Sequence, residues 1–315
     1  MAHYSQLSTD QVTEILDQYA VGDLSNFKVL SGGSENTNYL VTTTNAKFVL
    51  TICEQKTFPE TDDLAKLLQH LAQHQFFTTQ IIPNNSKEFV TAFNNKPALL
   101  KTFIEGSIIE DLPNNTLQSL GRQLAQLHNI PPPAALPLQV TYGKETFVGV
   151  EEYAKNSDFQ HWLYDIRAQV LALANECLPK ALIHSDIFFD NVVISPDSTT
   201  ATIMDFEEAA YYYRIFDIGM MLVGICGESS QLNLEKSKAV LQGYQEVICL
   251  QEEEIKALQT FSAYAAAGTG FWRHKQYHYV MPDSAMANHY QAMTSLADQI
   301  LAIEESDFLG IFNTA

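Results

Sequence analysis

The spacing of apolar residues along the chain changes near residue 104. Before that point, short apolar runs rich in β-branched and aromatic residues alternate with turn residues, which predicts an antiparallel sheet. The runs are 27–30, 39–43, 47–53, 88–92 and 98–103. Two helical patterns accompany them, one at 8–21, where Ser8 and Gln11 suit a capping box, and one at 59–74.

Beyond residue 104, apolar residues recur every three or four positions, which predicts helices. The helical segments are 116–128, 158–176 and, in succession, 214–304. A single short β patch interrupts them, formed by strands at 181–183, 192–195 and 200–204. We therefore predict an α+β protein of two lobes, a sheet-rich lobe at 1–104 and a helix-rich lobe at 105–315.

The residues with the clearest chemistry follow the first of these short strands. His184, Asp186 and Asn191 form the pattern H-x-D-x-x-x-x-N, and Asp205 and Phe206 come after a predicted β-hairpin. Phosphoryl transfer from ATP requires metal ions that neutralise the phosphates and one carboxylate that orients the attacking hydroxyl. Asp186 would face the acceptor hydroxyl, and Asn191 and Asp205 would hold Mg²⁺ through hard oxygen ligands. The spacing therefore predicts an ATP-dependent kinase.

These residues resemble the aminoglycoside phosphotransferase and choline kinase superfamily over nearly the whole chain. Residues 33–39 (GSENTNY) and 183–192 (IHSDIFFDNV) are similar to segments of the type II homoserine kinases. The resemblance implies a protein-kinase-like fold, with an antiparallel-sheet N-terminal lobe and a mainly helical C-terminal lobe. It also implies phosphorylation of a small acceptor, with L-homoserine as the first choice, and a structural role in the catalytic loop for His184 and Asp217.

By this resemblance, the first lobe binds ATP. Residues 31–39 would cover the phosphates, and a hinge near 100–106 would offer backbone hydrogen bonds to adenine. The residues expected to contact the nucleotide are Gly33, Ser34, Asn36, Thr37, Asn38, Lys101 and Phe103.

The acceptor site is expected among and just before the helices that follow residue 210. Its candidate residues are Glu207, Arg214, Trp272 and Arg273. Homoserine requires a cation for its carboxylate and an acid for its ammonium group, which Arg214 or Arg273 could provide together with Glu207. Choline would instead require an aromatic cage, for which Trp272, Tyr277 and Tyr279 are available. Ethanolamine, hydroxylysine, methylthioribose and aminoglycosides are further alternatives.

Two positions depart from the pattern of kinases. A lysine in the third strand usually contacts the α- and β-phosphates, and Thr51 occupies that place here. The glycine of the D-F-G motif is replaced by Glu207. The missing lysine keeps a second hypothesis open, a catalytically silent nucleotide-binding module. A protein kinase is disfavoured because the short distance from Asp205 to Asp217 leaves little room for a peptide-binding platform.

Composition limits the partners and the location. With 18 basic and 37 acidic residues the net charge is −19, so neither nucleic acid nor an anionic membrane is expected as a partner. The four cysteines lack C-x-x-C spacing, which is typical of reduced cysteines in a cytoplasmic protein. The first residues do not have the pattern of a signal peptide. We expect a cytoplasmic monomer or homodimer that uses ATP, Mg²⁺ and a small hydroxyl acceptor.

Overall fold

The computed structural model describes residues 5–30 and 36–312. The chain divides into two compact units, unit 1 up to Glu105 and unit 2 from Gly106 onward. Unit 1 is built on an antiparallel sheet and unit 2 is mainly helical, which confirms the predicted α+β class.

Unit 1 contains a five-stranded antiparallel sheet with strand order β1-β2-β3-β5-β4. Its elements are α1 (Thr9–Leu16), β1 (Leu24–Val29), β2 (Asn36–Thr43), β3 (Lys47–Cys53), α2 (Phe58–Gln73), β4 (Thr91–Phe93) and β5 (Lys96–Thr102). The predicted capping box of Ser8 and Gln11 begins α1. The helix ends earlier than predicted, because Gln18 and Tyr19 already bond three residues back, in the manner of a tightened last turn.

The two faces of this sheet have different surroundings, because side chains alternate along each strand. One face, which includes Tyr39 and Leu50, packs against α1 in the core of the unit. The opposite face carries Asn38, Thr51 and Leu99 in one row, since Asn38 lies opposite Thr51 and Thr51 lies opposite Leu99. The second face is therefore the one left for contacts outside this core.

Unit 2 begins with helices and continues through short strands. The elements are α3 (Asn114–His128), α4 (Asp158–Leu173), β6 (Lys180–Ile183), β7 (Val192–Ile194), β8 (Ala201–Ile203), β9 (Ala210–Tyr213), α5 (Arg214–Cys226), β10 (Gly227–Glu228), β11 (Gln231–Leu232), α6 (Leu234–Gln245), α7 (Glu252–Lys275), α8 (Gln291–Ala302) and α9 (Glu305–Leu309). A π-helical turn, Gln276–Val280, extends α7. Buried side chains lie on nearly every side of α5, as expected of a helix at the centre of a unit. Among the residues described, no helix combines the length and apolar character needed to cross a membrane.

The short strands of unit 2 pair differently from the prediction. β7 and β8 form the expected hairpin, in which Val192 lies opposite Ile203. β6 does not join them, and pairs instead with β9, where Leu182 lies opposite Tyr211. The predicted single patch is therefore two separate two-stranded sheets. The prediction missed β9 because this strand is only four residues long and runs directly into α5.

Candidate active site

Residues 184–191 form a loop between β6 and the β7–β8 hairpin. Both ends of the loop are fixed, because β6 pairs with β9 and the hairpin begins directly after the loop. The loop also lies against α5. A Cβ atom added at Gly224 of that helix would stand 2.1 Å from the carbonyl oxygen of Ile187. The loop backbone and the helix backbone therefore touch at a point where only glycine fits.

Asp217 of α5 is the main anchor of the loop. Its side chain is fully buried and accepts hydrogen bonds from the backbone N–H groups of His184 (2.8 Å) and Ser185 (2.7 Å). A third hydrogen bond, of 3.1 Å, comes from Nε2 of His128 on α3, whose Nδ1 lies 2.8 Å from the hydroxyl of Tyr244. One buried carboxylate thus joins α3, α5 and the loop.

The imidazole of His184 is buried, and both of its nitrogens are used within the unit. Nε2 lies 2.9 Å from the carbonyl oxygen of Met204, and Nδ1 lies 3.2 Å from the backbone N–H of Asp186. These partners assign the ring proton to Nε2, because Nδ1 must accept. His184 therefore connects the loop to the end of β8, and its ring nitrogens already have partners there.

Asp186 and Asn191 are hydrogen-bonded to each other. The amide Nδ2 of Asn191 donates to the backbone carbonyl oxygen of Asp186 at 2.9 Å and to its Oδ2 at 3.1 Å. Both side chains belong to half-buried residues. Because the amide nitrogen is turned toward Asp186, the amide oxygen of Asn191 points away from that carboxylate and can serve as a ligand.

The carboxyl group of Asp186 is in an environment that favours its protonated form. Burial raises its pKa, and the carboxylates of Asp205 and Asp190 raise it further, against the opposite effects of His184 and the hydrogen bond from Asn191. A carboxylate with a raised pKa accepts a proton more readily, which suits a general base.

Asp205 follows β8 and lies next to Asn191 across the hairpin. The N–H of Met204 donates to the carbonyl oxygen of Asn191 at 2.9 Å, so the pairing continues to this end of the hairpin. Asp205 is exposed, with φ at +68°, and Ser185 in the loop has φ at +66°. Such left-handed backbone costs roughly 1 kcal/mol or more at a non-glycine residue and is concentrated at active sites. Glu207, two residues beyond Asp205, is half-buried.

The oxygen donors at this end of the hairpin fit Mg²⁺. In kinases the ion is held by one or two protein oxygens, and phosphate and water oxygens complete its octahedron. The amide oxygen of Asn191 and the carboxylate of Asp205 are hard ligands of this kind. In the described ranges, no cluster of three His, Cys, Asp or Glu side chains could hold a metal. A metal that binds together with ATP does not require such a cluster.

Arg214, a candidate for acceptor binding, is engaged with another residue. Its Nε and Nη2 donate to Oε1 (2.7 Å) and Oε2 (2.6 Å) of Glu254, a fully buried residue of α7. This bidentate pair joins the first turn of α5 to the first turn of α7. The guanidinium of Arg214 is therefore occupied, and Arg273 is the other arginine among the acceptor candidates.

Arg273, near the end of α7, is half-buried without such a partner. Among the described residues, no carboxylate lies within ion-pair distance of its guanidinium, and its hydrogen bond to the carbonyl oxygen of His289 is long, at 3.5 Å. Burial lowers the pKa of Arg273, while Tyr277, Asp190 and Asp186 act in the opposite direction. The guanidinium therefore lies in the electrostatic field of the catalytic loop.

The aromatic side chains expected to form a choline cage lie in two separate groups of ring contacts. Trp272 is half-buried and meets the rings of Tyr142 and Tyr277 edge-on, with centroids 6.3 Å apart in each case. Tyr279 stacks instead on Tyr153 at 5.3 Å. The ring contacts therefore do not join Trp272, Tyr277 and Tyr279 into one cage.

Three residues predicted to contact the nucleotide lie on β2. Asn36 and Thr37 are buried, and the hydroxyl of Thr37 donates to the Glu54 carboxylate at 2.6 Å. The side chain of Asn38 accepts a hydrogen bond of 2.7 Å from the hydroxyl of Thr51 on β3. The hydrogen-bonded side chains of Thr51 and Asn38 therefore occupy the place on the sheet where a lysine was expected.

The other predicted nucleotide contacts lie at two places. Lys101 is a half-buried residue of β5, and Phe103 follows the strand, with the ammonium group of Lys47 5.7 Å from the centre of its ring. Gly33 and Ser34 lie outside the residues that the structure describes.

Sequence reasoning missed His128, Tyr244 and Glu254, which hold the loop anchor and Arg214 in place. Glu254 is 40 residues from Arg214, and His128 is 89 residues from Asp217. Local patterns do not reveal partners at these separations. The one local signal at Glu254 indicates a helix start, since it also forms a capping box with Gln251.

A sequence profile of the phosphotransferase enzyme family matches residues 26–248, a range that includes β2 to β5 of the sheet in unit 1, most of β1 and the loop at 184–191. The chain belongs to this phosphotransferase enzyme family. It is an ATP-dependent phosphotransferase of the small-molecule kinase class, as the sequence predicted.

Individual relatives and solved structures are similar to most of this chain. The homoserine kinase of Agrobacterium fabrum is 32% identical over 275 residues, which cover 83% of this chain and 84% of that enzyme. A microcompartment-associated aminopropanol kinase superposes with a TM-score of 0.73 at 17% identity, over 96% of this chain and all of the other. Spectinomycin phosphotransferase, solved with ADP and spectinomycin, gives 0.68 at 14% identity with the same coverage. These structures confirm the predicted protein-kinase-like fold.

Proposed function

We propose that the chain transfers the γ-phosphate of ATP to the hydroxyl group of L-homoserine, a cytoplasmic step of threonine biosynthesis that yields O-phosphohomoserine. The observation that carries this proposal is Arg273, a half-buried guanidinium that has no acidic partner among the described residues and feels the charges of Asp186 and Asp190 of the loop. Such a group suits an acceptor that carries a carboxylate. The similarity to the homoserine kinase of Agrobacterium fabrum supports the same acceptor.

In the proposed reaction, the acceptor hydroxyl donates a hydrogen bond to the carboxylate of Asp186. The acceptor oxygen forms a bond to the γ-phosphorus as the bond from that phosphorus to the β,γ-bridging oxygen breaks, and ADP leaves. The hydroxyl proton passes to Asp186 and then to water. The raised pKa of Asp186 favours this transfer, and positioning supplies most of the remaining rate enhancement.

Mg²⁺ would be held by the amide oxygen of Asn191 and the carboxylate of Asp205. When bound, the ion neutralises negative charge on the phosphates. Asn191 has a second role, because its Nδ2 orients the carboxylate of Asp186 through a hydrogen bond of 3.1 Å. One amide therefore connects the proposed base with the proposed metal ligands.

The two charged groups of homoserine, its carboxylate and its ammonium group, would be bound by different side chains. Arg273 would bind its carboxylate, and the acidic side chains of Asp190, which is exposed, and Glu207, which is half-buried, are candidates for its ammonium group. A quaternary ammonium such as choline would meet an unfavourable positive charge at Arg273, and it has no carboxylate to offset it. The charge pattern therefore favours an amino acid over an amino alcohol.

Replacing Arg273 with methionine is expected to raise the KM for L-homoserine about 10- to 100-fold, the usual value of a charge-assisted hydrogen-bonded contact. Lysine at this position should recover part of the loss, since it keeps the charge but not the planar fork. Steady-state kinetics would measure both effects. Turnover of 3-aminopropan-1-ol, which is homoserine without its carboxylate, should change little.

Two results would contradict this role of Arg273. One is an equal loss of kcat/KM with homoserine and with 3-aminopropan-1-ol, which would mean that Arg273 does not bind the carboxylate. The other is an unchanged KM for homoserine. Arg122→Met is a suitable control, because Arg122 forms a solvent-exposed pair with Glu246 on the surface of unit 2.

The function itself is tested by ADP release from MgATP with L-homoserine, choline, ethanolamine, hydroxylysine and an aminoglycoside. We expect the highest kcat/KM for L-homoserine. A higher value for another acceptor would reject homoserine and keep the reaction class. No turnover with any of them, together with thermal stabilisation by MgATP, would favour the catalytically silent module that Thr51 suggests.

A further inference from the structure

The third strand of unit 1 has no cation at the position that usually contacts the nucleotide phosphates. Thr51 stands there, is 1% exposed, and donates its hydroxyl hydrogen to Oδ1 of Asn38 at 2.7 Å. This hydrogen bond turns the amide nitrogen of Asn38 away from Thr51, and an amide nitrogen is a neutral donor. A triphosphate still requires a positive side chain nearby, because its charge is only partly neutralised by Mg²⁺.

The strand register brings Lys101 to this face of the sheet, close to Thr51. Thr51 lies opposite Leu99, and Val49 lies opposite Lys101. Lys101 is two residues from Leu99 on the same strand, so its side chain leaves the sheet on the same face as Thr51. The core cluster on the opposite face includes Leu50 and Leu100 but none of these four residues.

The distance from Lys101 to the phosphate position is within the length of its side chain. Neighbouring strands are about 4.8 Å apart and two residues span roughly 6.7 Å, which puts the Cα atoms of Thr51 and Lys101 roughly 8 Å apart. An extended lysine side chain carries its nitrogen roughly 6 Å from Cα. The ammonium group of Lys101 can therefore come close to Thr51.

Three other lysines of unit 1 form ion pairs with acidic side chains. Lys47 pairs with Glu105 at 2.7 Å, Lys66 pairs with Asp62 on α2, and Lys96 pairs with Glu54. Burial would raise the pKa of Glu54, but hydrogen bonds from Lys96 and other donors outweigh it and hold that pKa at about 2. The ion pair between Lys96 and Glu54 is therefore strong, and this lysine is not available to a ligand.

Lys101 has no such partner. It is half-buried, and its ammonium group makes no hydrogen bond, ion pair or ring contact with the residues that the structure describes. A partly desolvated cation without an anion is costly unless a ligand supplies the anion. We propose that the side chain of Lys101 contacts the phosphates of ATP in place of the missing strand-3 lysine. The inference rests on ATP as the phosphate donor of the proposed function.

The test compares two ligands that differ only in their phosphates. Binding of Mg²⁺ with the non-hydrolysable analogue AMP-PNP, and binding of adenosine, are measured by titration calorimetry on the full chain. Lys101→Met should weaken AMP-PNP binding about 10- to 100-fold, as loss of a contact to a charged group does, and change adenosine binding less than about twofold. Lys101→Arg should keep most of the affinity. Lys66→Met, which removes an exposed lysine of α2, should change neither.

The possible outcomes separate this inference from the function on which it depends. Unchanged AMP-PNP affinity in Lys101→Met would overturn it. An equal loss for AMP-PNP and adenosine would also overturn it, because Lys101 would then act on the adenine region or on folding. If Lys101→Met does not fold, Lys101→Arg decides, since an affinity loss as large as that expected for methionine would exclude a charge contact. A wild-type chain that binds adenosine and AMP-PNP but phosphorylates no acceptor would reject the proposed function alone.

Discussion

Replacing Asp186 with asparagine will lower kcat about 10²- to 10⁴-fold, the usual contribution of a positioned general base. Asparagine has nearly the size of aspartate but cannot take the proton of the acceptor hydroxyl. The loop should keep its geometry, because Asn191 also donates to the backbone carbonyl oxygen of Asp186 and because Asp217 holds the backbone of His184 and Ser185. The loss is therefore expected in kcat, with ATP affinity and stability close to those of the wild type.

Steady-state kinetics with L-homoserine, together with calorimetric titration of AMP-PNP, would separate these effects. Asp165→Asn is the matched control, since it makes the same chemical change on an exposed residue of α4. A kcat of Asp186→Asn within about threefold of the wild type would show that another group accepts the proton. A large loss of AMP-PNP affinity would assign Asp186 to nucleotide binding instead.

Replacing Glu254 with alanine is expected to lower the free energy of unfolding of unit 2 by about 3–5 kcal/mol. The side chain of Glu254 is fully buried and that of Arg214 is 15% exposed. Removal of the carboxylate leaves the guanidinium largely out of water without its anion, which costs more than the pair itself contributes. Urea denaturation followed by tryptophan fluorescence measures the loss, because both tryptophans, Trp162 and Trp272, lie in unit 2.

A surface pair provides the comparison. Arg122 and Glu246 are 2.9 Å apart, with side chains 36% and 53% exposed, so Glu246→Ala should cost about 0–1 kcal/mol. The double replacement Arg214→Met with Glu254→Leu should recover much of the stability lost in Glu254→Ala, since no unpaired charge remains. A cost below about 1 kcal/mol for Glu254→Ala would mean that water reaches the guanidinium of Arg214.

The catalytic loop can be predicted from the sequence because its functional residues lie close together along the chain. His184, Asp186 and Asn191 lie within one short segment, and Asp205 follows a hairpin whose strands are short apolar runs around the turn at Pro196. The spacing alone predicts that these residues lie near one another. In the structure, Asn191 is hydrogen-bonded to Asp186, and Met204, next to Asp205, is hydrogen-bonded to Asn191. The same applies to the helix start at Ser8, where the signal and its effect are three residues apart.

Contacts between distant elements could not be predicted in this way. The sequence offers Arg214 as a binding residue because a guanidinium suits the carboxylate of homoserine, yet Glu254 pairs with it from another helix. The separate sheet of β6 and β9 was missed for a similar reason. The placement of Lys101 depends on the register between β3 and β5, which the burial of one sheet face determines and no local pattern records.

Asp217 has a consequence for the order of folding. The donors that satisfy its carboxylate come from His128, 89 residues earlier in the chain, and from His184 and Ser185, 33 and 32 residues earlier. Contacts at such separations require the closure of long loops, which costs entropy and delays their formation. The reactive loop therefore acquires its shape only when α3 and α5 have docked. We therefore expect a chain in which these helices have not yet packed to show no ATP turnover.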